Sequence, residues 1–218
     1  MFKIPNWDLF ELESDLLVLK DHLDFVEEQM RAQSEKSERE LDSKLADYDY
    51  SDEYERAMHY QEIQVHQNWV AEGLPRLVIN PFVVSLWSFY ELVLVELAGL
   101  VQEKKSSSLS LSDIKGKHML ARAEKYFNHV LAFPIDFTVD QRTRLNWLGV
   151  IRNAIVHSNG RMTGLTRRHQ QALRESKVEG AGLSGNGNHV VLEVGYAKRT
   201  FEVVQEHVRL LFQRYEAL

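Results

Sequence analysis

The residues with the clearest capacity for chemistry are Arg152, Asn153 and His157, which lie within six consecutive positions of a 218-residue chain. An imidazole takes up or gives away a proton near neutral pH. A guanidinium holds anionic oxygens through charge-assisted hydrogen bonds, and a carboxamide can orient either group. The three sit in the stretch 145–161, Leu-Asn-Trp-Leu-Gly-Val-Ile-Arg-Asn-Ala-Ile-Val-His-Ser-Asn-Gly-Arg. Leu145, Leu148, Ile151 and Ile155 recur at helical spacing and predict a buried helix. Ser158-Asn159-Gly160 predicts its stop, because Asn and Gly tolerate the left-handed conformation that closes helices. Burying Arg152 in such a helix is costly unless the guanidinium is paired or faces a cleft. Asn153 and His157 are about 40° apart on the helical wheel and share a face, whereas Arg152 and His157 are about 140° apart. Either the long Arg side chain curls round, or a second copy of the helix completes the site. His157 falls in the last turn, where the helix dipole favours a positive charge.

The run Arg152-Asn153-Ala154-Ile155-Val156-His157 resembles the Arg-Asn-spacer-His signature of the HEPN superfamily (higher eukaryotes and prokaryotes nucleotide-binding). The resemblance extends to the apolar segment 85–100 and to the segment 117–130. It implies a helical bundle that forms a homodimer with the two motif helices facing each other. Many members are metal-independent endoribonucleases of toxin–antitoxin, phage-defence or RNA-processing systems, and others only bind. For this chain the resemblance implies RNA cleavage by attack of the ribose 2′-hydroxyl on the adjacent phosphorus, with no metal and no cofactor. His157 would act as base or acid, Arg152 would hold the phosphoryl oxygens, and Asn153 would fix the imidazole or the phosphate. DNA, lacking the 2′-hydroxyl, would survive. Arg161, Arg167 and Arg168 would position RNA, and an antitoxin protein is a further partner the resemblance allows. The alternative is a catalytically inactive interaction or RNA-binding scaffold. There Asn153 and His157 hydrogen-bond across the dimer and Arg152 pairs with a carboxylate.

Composition sets bounds on these readings. A hydrophobic content of 44% supports a sizeable core. The expected organisation is an acidic helical extension over 1–75 and the HEPN-like domain over 76–218, joined in one compact unit. The absence of cysteine excludes disulfides and thiolate metal sites. His59 and His66 lack the acidic partners of a zinc site, and the glycines of 180–188 precede a strand, the wrong order for a phosphate-cradling loop. No Ser or Cys nucleophile motif is present. The most apolar stretch, 77–95, is interrupted by Asn80, Pro81, Ser85, Ser88 and Glu91 and reads as a core helix, and the N-terminus lacks a signal-peptide pattern. A cytoplasmic location without membrane contact is the expectation.

The net charge of −6 hides a split. Residues 8–56 hold 17 acidic and 6 basic side chains, a balance of −11, whereas residues 142–177 hold 8 basic and 1 acidic, a balance of +7. Either the two regions neutralise each other, or the basic one meets RNA phosphates.

In the expected mainly α fold, Leu9, Leu12, Leu16, Leu19, Leu23, Val26 and Met30 form a heptad seam on one long helix, Trp7–Leu45. Its expected partner is a helix over 54–71, capped by Ser51 after a turn beginning at Asp47, with dimerisation through the seam as the other outcome. Gly73-Leu74-Pro75 predicts a break, and Asn80-Pro81 the opening of the most apolar helix, running to residue 102. Glu91 within it would either pair with a nearby Arg or orient Arg152 or His157. A flexible Ser-rich loop follows from 104, then a helix over 114–130 capped by Ser112-Asp113. Thr138 or Asp140 caps the motif helix. Beyond it come a short basic helix in 166–178, a strand at 189–194 pairing in a hairpin near 161–165, and an amphipathic helix over 198–215.

Overall fold

The chain is mainly helical, with a long first helix and a small antiparallel hairpin before the last one. The computed structural model describes residues 7–46 and 51–218, so the turn expected from Asp47 begins outside the described residues. In chain order the elements are α1 (Trp7–Leu45), α2 (Glu53–Asn68), α3 (Leu74–Lys105), α4 (Met119–Lys125), α5 (Val139–Ser158), α6 (Arg167–Arg174), β1 (Ala181–Leu183), β2 (Val190–Leu192) and α7 (Val194–Glu216). They sort into two compact units, each discontinuous in sequence. The first holds α1 as far as Asp21, Val84–Arg152 and Lys198–Leu218; the second holds His22–Val83 and Asn153–Ala197. Neither unit corresponds to residues 1–75 or 76–218.

The seam of α1 is used inside the chain. Leu9, Leu12, Leu16, Leu19, Leu23 and Val26 are buried and Met30 is half-buried, where the apolar periodicity ends. In the second unit the seam lies beside the start of α3 rather than beside α2: the His22 and Phe82 rings meet edge-on at 5.4 Å. Helix α2 buries none of its residues and bonds to the polar end of α1 through Ser37 Oγ to His66 Nδ1 (2.9 Å) and Lys44 Nζ to Glu62 Oε2 (3.0 Å). Its cap is Asp52, not Ser51; the Asp52 carboxylate accepts from the amides of Tyr54 and Glu55.

Gly73-Leu74-Pro75 does not break the helix. One turn of π-helix, Trp69–Gly73, joins α2 to α3 without interruption. A Cβ on Gly73 would stand 2.6 Å from Cε3 of Trp69, so the missing side chain is what lets the indole lie there. Pro81 likewise sits inside α3 rather than opening it, leaving the Leu77 carbonyl without its usual intrahelical donor. Burial of Leu74, Ile79, Phe82 and Val83 outweighs that loss. The continuous helix Glu53–Lys105 is long and apolar enough to cross a membrane, but just over half of its most apolar stretch is buried inside the chain. The core reading of 77–95 rests on that burial.

In the first unit, Tyr90, Leu94 and Leu97 of α3 are buried, as are Leu145, Leu148 and Ile151 of α5. Phe201, Val204, Val208, Leu211 and Phe212 of α7 are buried as their spacing predicts. His207 is buried with them. Its Nδ1 shares a hydrogen bond with the Tyr90 hydroxyl at 2.9 Å, and its ring stacks on Phe137 at 4.4 Å. The Ser-rich segment after α3 is tied down rather than loose: Gln102 donates to the Ser107 carbonyl, Tyr126 to the Leu109 carbonyl, and Ser110 and Asp113 bond reciprocally. Helix α4 starts only at Met119, capped by His118 instead of Ser112-Asp113, and ends in a π turn, Tyr126–Val130.

β2 pairs with Ala181–Leu183, inside the glycine-rich stretch, and not with 161–165. What survives of the expected pairing is one isolated bridge, Arg161 to His189. Glycines weaken strand propensity, which hid β1 from its sequence.

Candidate active site

Helix α5 is fixed at both ends by local chemistry. Thr138 Oγ1 accepts from the Gln141 amide, and Gln141 Oε1 accepts from the Thr138 amide, both at 3.1 Å, a reciprocal cap that excludes Asp140 from that role. At the far end Asn159 (φ 50°) and Gly160 (φ 71°) are left-handed, and the Gly160 amide donates back to the Ala154 carbonyl at 2.9 Å. Within the helix, a Cβ on Gly149 would stand 2.9 Å from Cη2 of Trp87, so glycine permits the indole of α3 to press against the backbone of α5.

The stripe Leu145, Leu148, Ile151 is fully buried; thereafter Ala154 is buried and Ile155 only half so. The same last turns turn polar groups outward. Asn153 and His157 are exposed on one face, with Val156 between them 48% exposed. Arg152 is half-buried and its Nε is shielded from solvent. The helix thus presents the amide and the imidazole together and directs Arg152 elsewhere, as the wheel requires. Glu91 is half-buried on α3, in the same unit as Arg152, and makes no ion pair with it among the described residues.

Of the basic residues along 142–177, Arg142 pairs with Glu124, Arg144 with Asp140 (2.9 Å) and Lys177 with Glu175. These carboxylates all lie outside the acidic region 8–56. Arg161, Arg167 and Arg168 are exposed. Thr166 caps α6, the expected short basic helix, and Gln170 steadies the turn before it by donating to the carbonyls of Met162 and Leu165, both at 2.9 Å. Burial, and then the charge of Arg168, lower the pKa of His169 on the same helix.

Two residues near this segment carried no signal in the sequence. His189 stands opposite Arg161 in the isolated bridge. Burial lowers its pKa, the charges of Arg76 and Arg161 lower it further, and Glu72 opposes them. Arg76 lies one turn beyond Glu72 along the continuous helix, and Glu72 Oε1 accepts from the Gly185 amide of the hairpin tip at 2.5 Å. Residues 76 and 189 are more than a hundred positions apart, so no spacing rule links them.

Among the described residues no group of three or more His, Asp or Glu side chains gathers as metal ligands would. Comparison with family models, with curated proteins and with solved structures found no match to this chain.

Proposed function

We propose that the protein is a metal-independent endoribonuclease of toxin or phage-defence type, acting as a homodimer on RNA in the cytoplasm. The observation that carries this reading is the end of α5. A helix buried along its stripe of Leu145, Leu148 and Ile151 leaves Asn153, Val156 and His157 exposed in its last two turns, beside Arg152. A catalytic imidazole must be reachable by substrate, and an apolar Val156 at its side suits a face that meets a second copy.

In the proposed reaction the ribose 2′-oxygen bonds to phosphorus as its proton passes to a base. The bond from phosphorus to the 5′-oxygen breaks and that oxygen receives a proton. The products carry a 2′,3′-cyclic phosphate and a 5′-hydroxyl. His157 serves as base or acid, a role worth about 10²–10⁴ in rate. Arg152 neutralises the phosphoryl oxygens as charge builds. Since Arg152 and His157 point about 140° apart on one helix, the arginine of one copy and the imidazole of the other converge when two α5 ends face. Asn153 holds the imidazole or the phosphate. An antitoxin-like protein would act by covering this face.

The direct test uses an oligonucleotide with one ribose in a deoxyribose strand. Cleavage 3′ of that ribose alone, abolished by 2′-O-methylation, is expected. Equal cleavage of an all-DNA strand would overturn the mechanism.

A second reading, a non-catalytic scaffold, draws on a different feature. A groove of about 410 Å³ in the second unit is lined by Phe25, Trp69 and Leu77, exposed by 55%, 42% and 65%, with His22, Gln29 and Gln33 at its polar edge. If Trp69→Ala abolishes the protein's biological effect while His157→Ala leaves it intact, the scaffold reading replaces the nuclease.

A further inference from the structure

Arg161 and His189 face each other across the isolated antiparallel bridge. The flanking hydrogen bonds run from Met162 N to Asn188 O and from Val190 N to Gly160 O, both 2.9 Å. That pattern makes Arg161 and His189 a non-hydrogen-bonded pair, whose side chains leave the same face with Cβ atoms about 4.5–5.5 Å apart. Arg76 lies one turn along the helix from Glu72, whose carboxylate grips the hairpin tip at Gly185, and its charge is felt at His189. Its Nε is buried and has no hydrogen-bond partner among the described residues. Glu72 is the carboxylate facing this group, and its Oε1 is already engaged by the Gly185 amide. Two permanent cations thus act on the imidazole against one carboxylate, which leaves a positive excess, and a buried N–H donor is unused. An anion of matching shape satisfies both deficits, and a guanidinium binds phosphate oxygens in bidentate fashion.

We propose that Arg76, Arg161 and His189 form a phosphate-binding subsite that takes a phosphodiester of single-stranded RNA flanking the one that is cleaved. The proposal rests on the ribonuclease reading for the identity of the ligand, but not for the binding chemistry. Arg161 follows His157 by four residues, a reach of at most about 14 Å along the chain, so one short RNA strand spans both. Arg76 and Arg161 hold the phosphate oxygens, and His189 donates to them once the bound anion offsets the two neighbouring charges. The three are positioning residues; none touches the reacting atoms.

The experiment has two arms. In the first, inorganic phosphate is titrated into the wild-type protein while the ring signals of His189 are followed by NMR; a saturable shift is expected, and this arm depends on no substitution. In the second, binding of a short oligoribonucleotide is measured in the His157→Ala background, which holds substrate without cutting it. Arg76→Gln and His189→Gln are expected to weaken binding roughly 3–10-fold. Arg76→Gln should also reduce the slope of log K against log salt by about 0.7, the value for one lost single-strand phosphate contact. Arg209→Gln, at an exposed position on α7, should bind as the background does. With cutting restored, Arg76→Gln is expected to raise KM while kcat holds. An unmoved His189 signal together with unchanged RNA binding in both variants overturns the subsite and leaves the ribonuclease reading intact. Phosphate and RNA binding that depend on these residues, in a wild-type protein that cuts no RNA, would uphold the subsite and remove the nuclease reading instead.

Discussion

Acidification should destabilise this protein through one buried imidazole. His207 lies in the core of the first unit, against Tyr90 and Phe137. Burial chiefly, and the charge of Arg214 next, push its pKa from 6.5 down to about 4, with Asp136 opposing. The Tyr90 hydroxyl stays protonated, since burial and then Glu124 raise its pKa well above the usual value. The folded state therefore keeps His207 neutral over a pH range in which the unfolded chain binds a proton. The associated stability is fully present above pH 6.5 and is lost as pH falls towards 4. Each tenfold rise in proton concentration within that window removes up to about 1.4 kcal/mol. Relative to pH 7.5, the loss from this residue is about 1.4 kcal/mol at pH 5.5 and about 2.5 kcal/mol at pH 4.5. Urea denaturation of wild type and His207→Leu at these three pH values isolates it. The variant strands the Tyr90 hydroxyl and is less stable by about 1–3 kcal/mol at pH 7.5, but that deficit should shrink on acidification by the stated amounts. Parallel curves for the two proteins would refute the argument, because they would mean that His207 is protonated equally in the folded and unfolded states.

Three further substitutions test how the elements are held. Gly149→Ala raises helix propensity by about 1 kcal/mol, yet its Cβ would stand 2.9 Å from Trp87. A net loss of about 1–2 kcal/mol is expected in thermal melts, and a melting temperature at or above wild type would show that α3 and α5 are not in such close contact. Thr138→Ala removes the reciprocal cap of α5 and should cost about 1 kcal/mol; an unchanged urea midpoint contradicts that assignment. Ala132 is exposed and left-handed, with φ 45°. Ala132→Gly relieves that strain and should stabilise by up to about 1 kcal/mol, whereas a loss would mean the turn tolerates its Cβ.

The sequence was most legible where one local interaction decides the outcome. Asn159-Gly160 ends α5 because few other pairs accept two successive left-handed residues, and the seam of α1 is buried because its period admits one buried face. Reading failed where a tertiary contact outweighed a local rule. Gly73-Leu74-Pro75 has the composition of a breaker, yet the helix passes through as a π turn around Trp69, and Pro81 is carried inside α3 by the buried face on either side of it. His207 could have been found from its place between Val204 and Leu211 on the apolar stripe of α7. Arg76 could not, because its company is set by Glu72 reaching a hairpin tip over a hundred residues away. For the candidate site, the sequence supplied the shared face of Asn153 and His157. The outward placement of that face depends on how the rest of α5 is buried.

Whether Arg152 and His157 act on RNA is tested most directly by cleavage of a mixed RNA pool in EDTA. Wild type should release fragments ending in 2′,3′-cyclic phosphate and 5′-hydroxyl groups. Arg152→Ala and His157→Ala should each lose about 100-fold or more in rate while melting at the wild-type temperature. Intact RNA after prolonged incubation with wild type, or cleavage that persists undiminished in His157→Ala, would contradict that role.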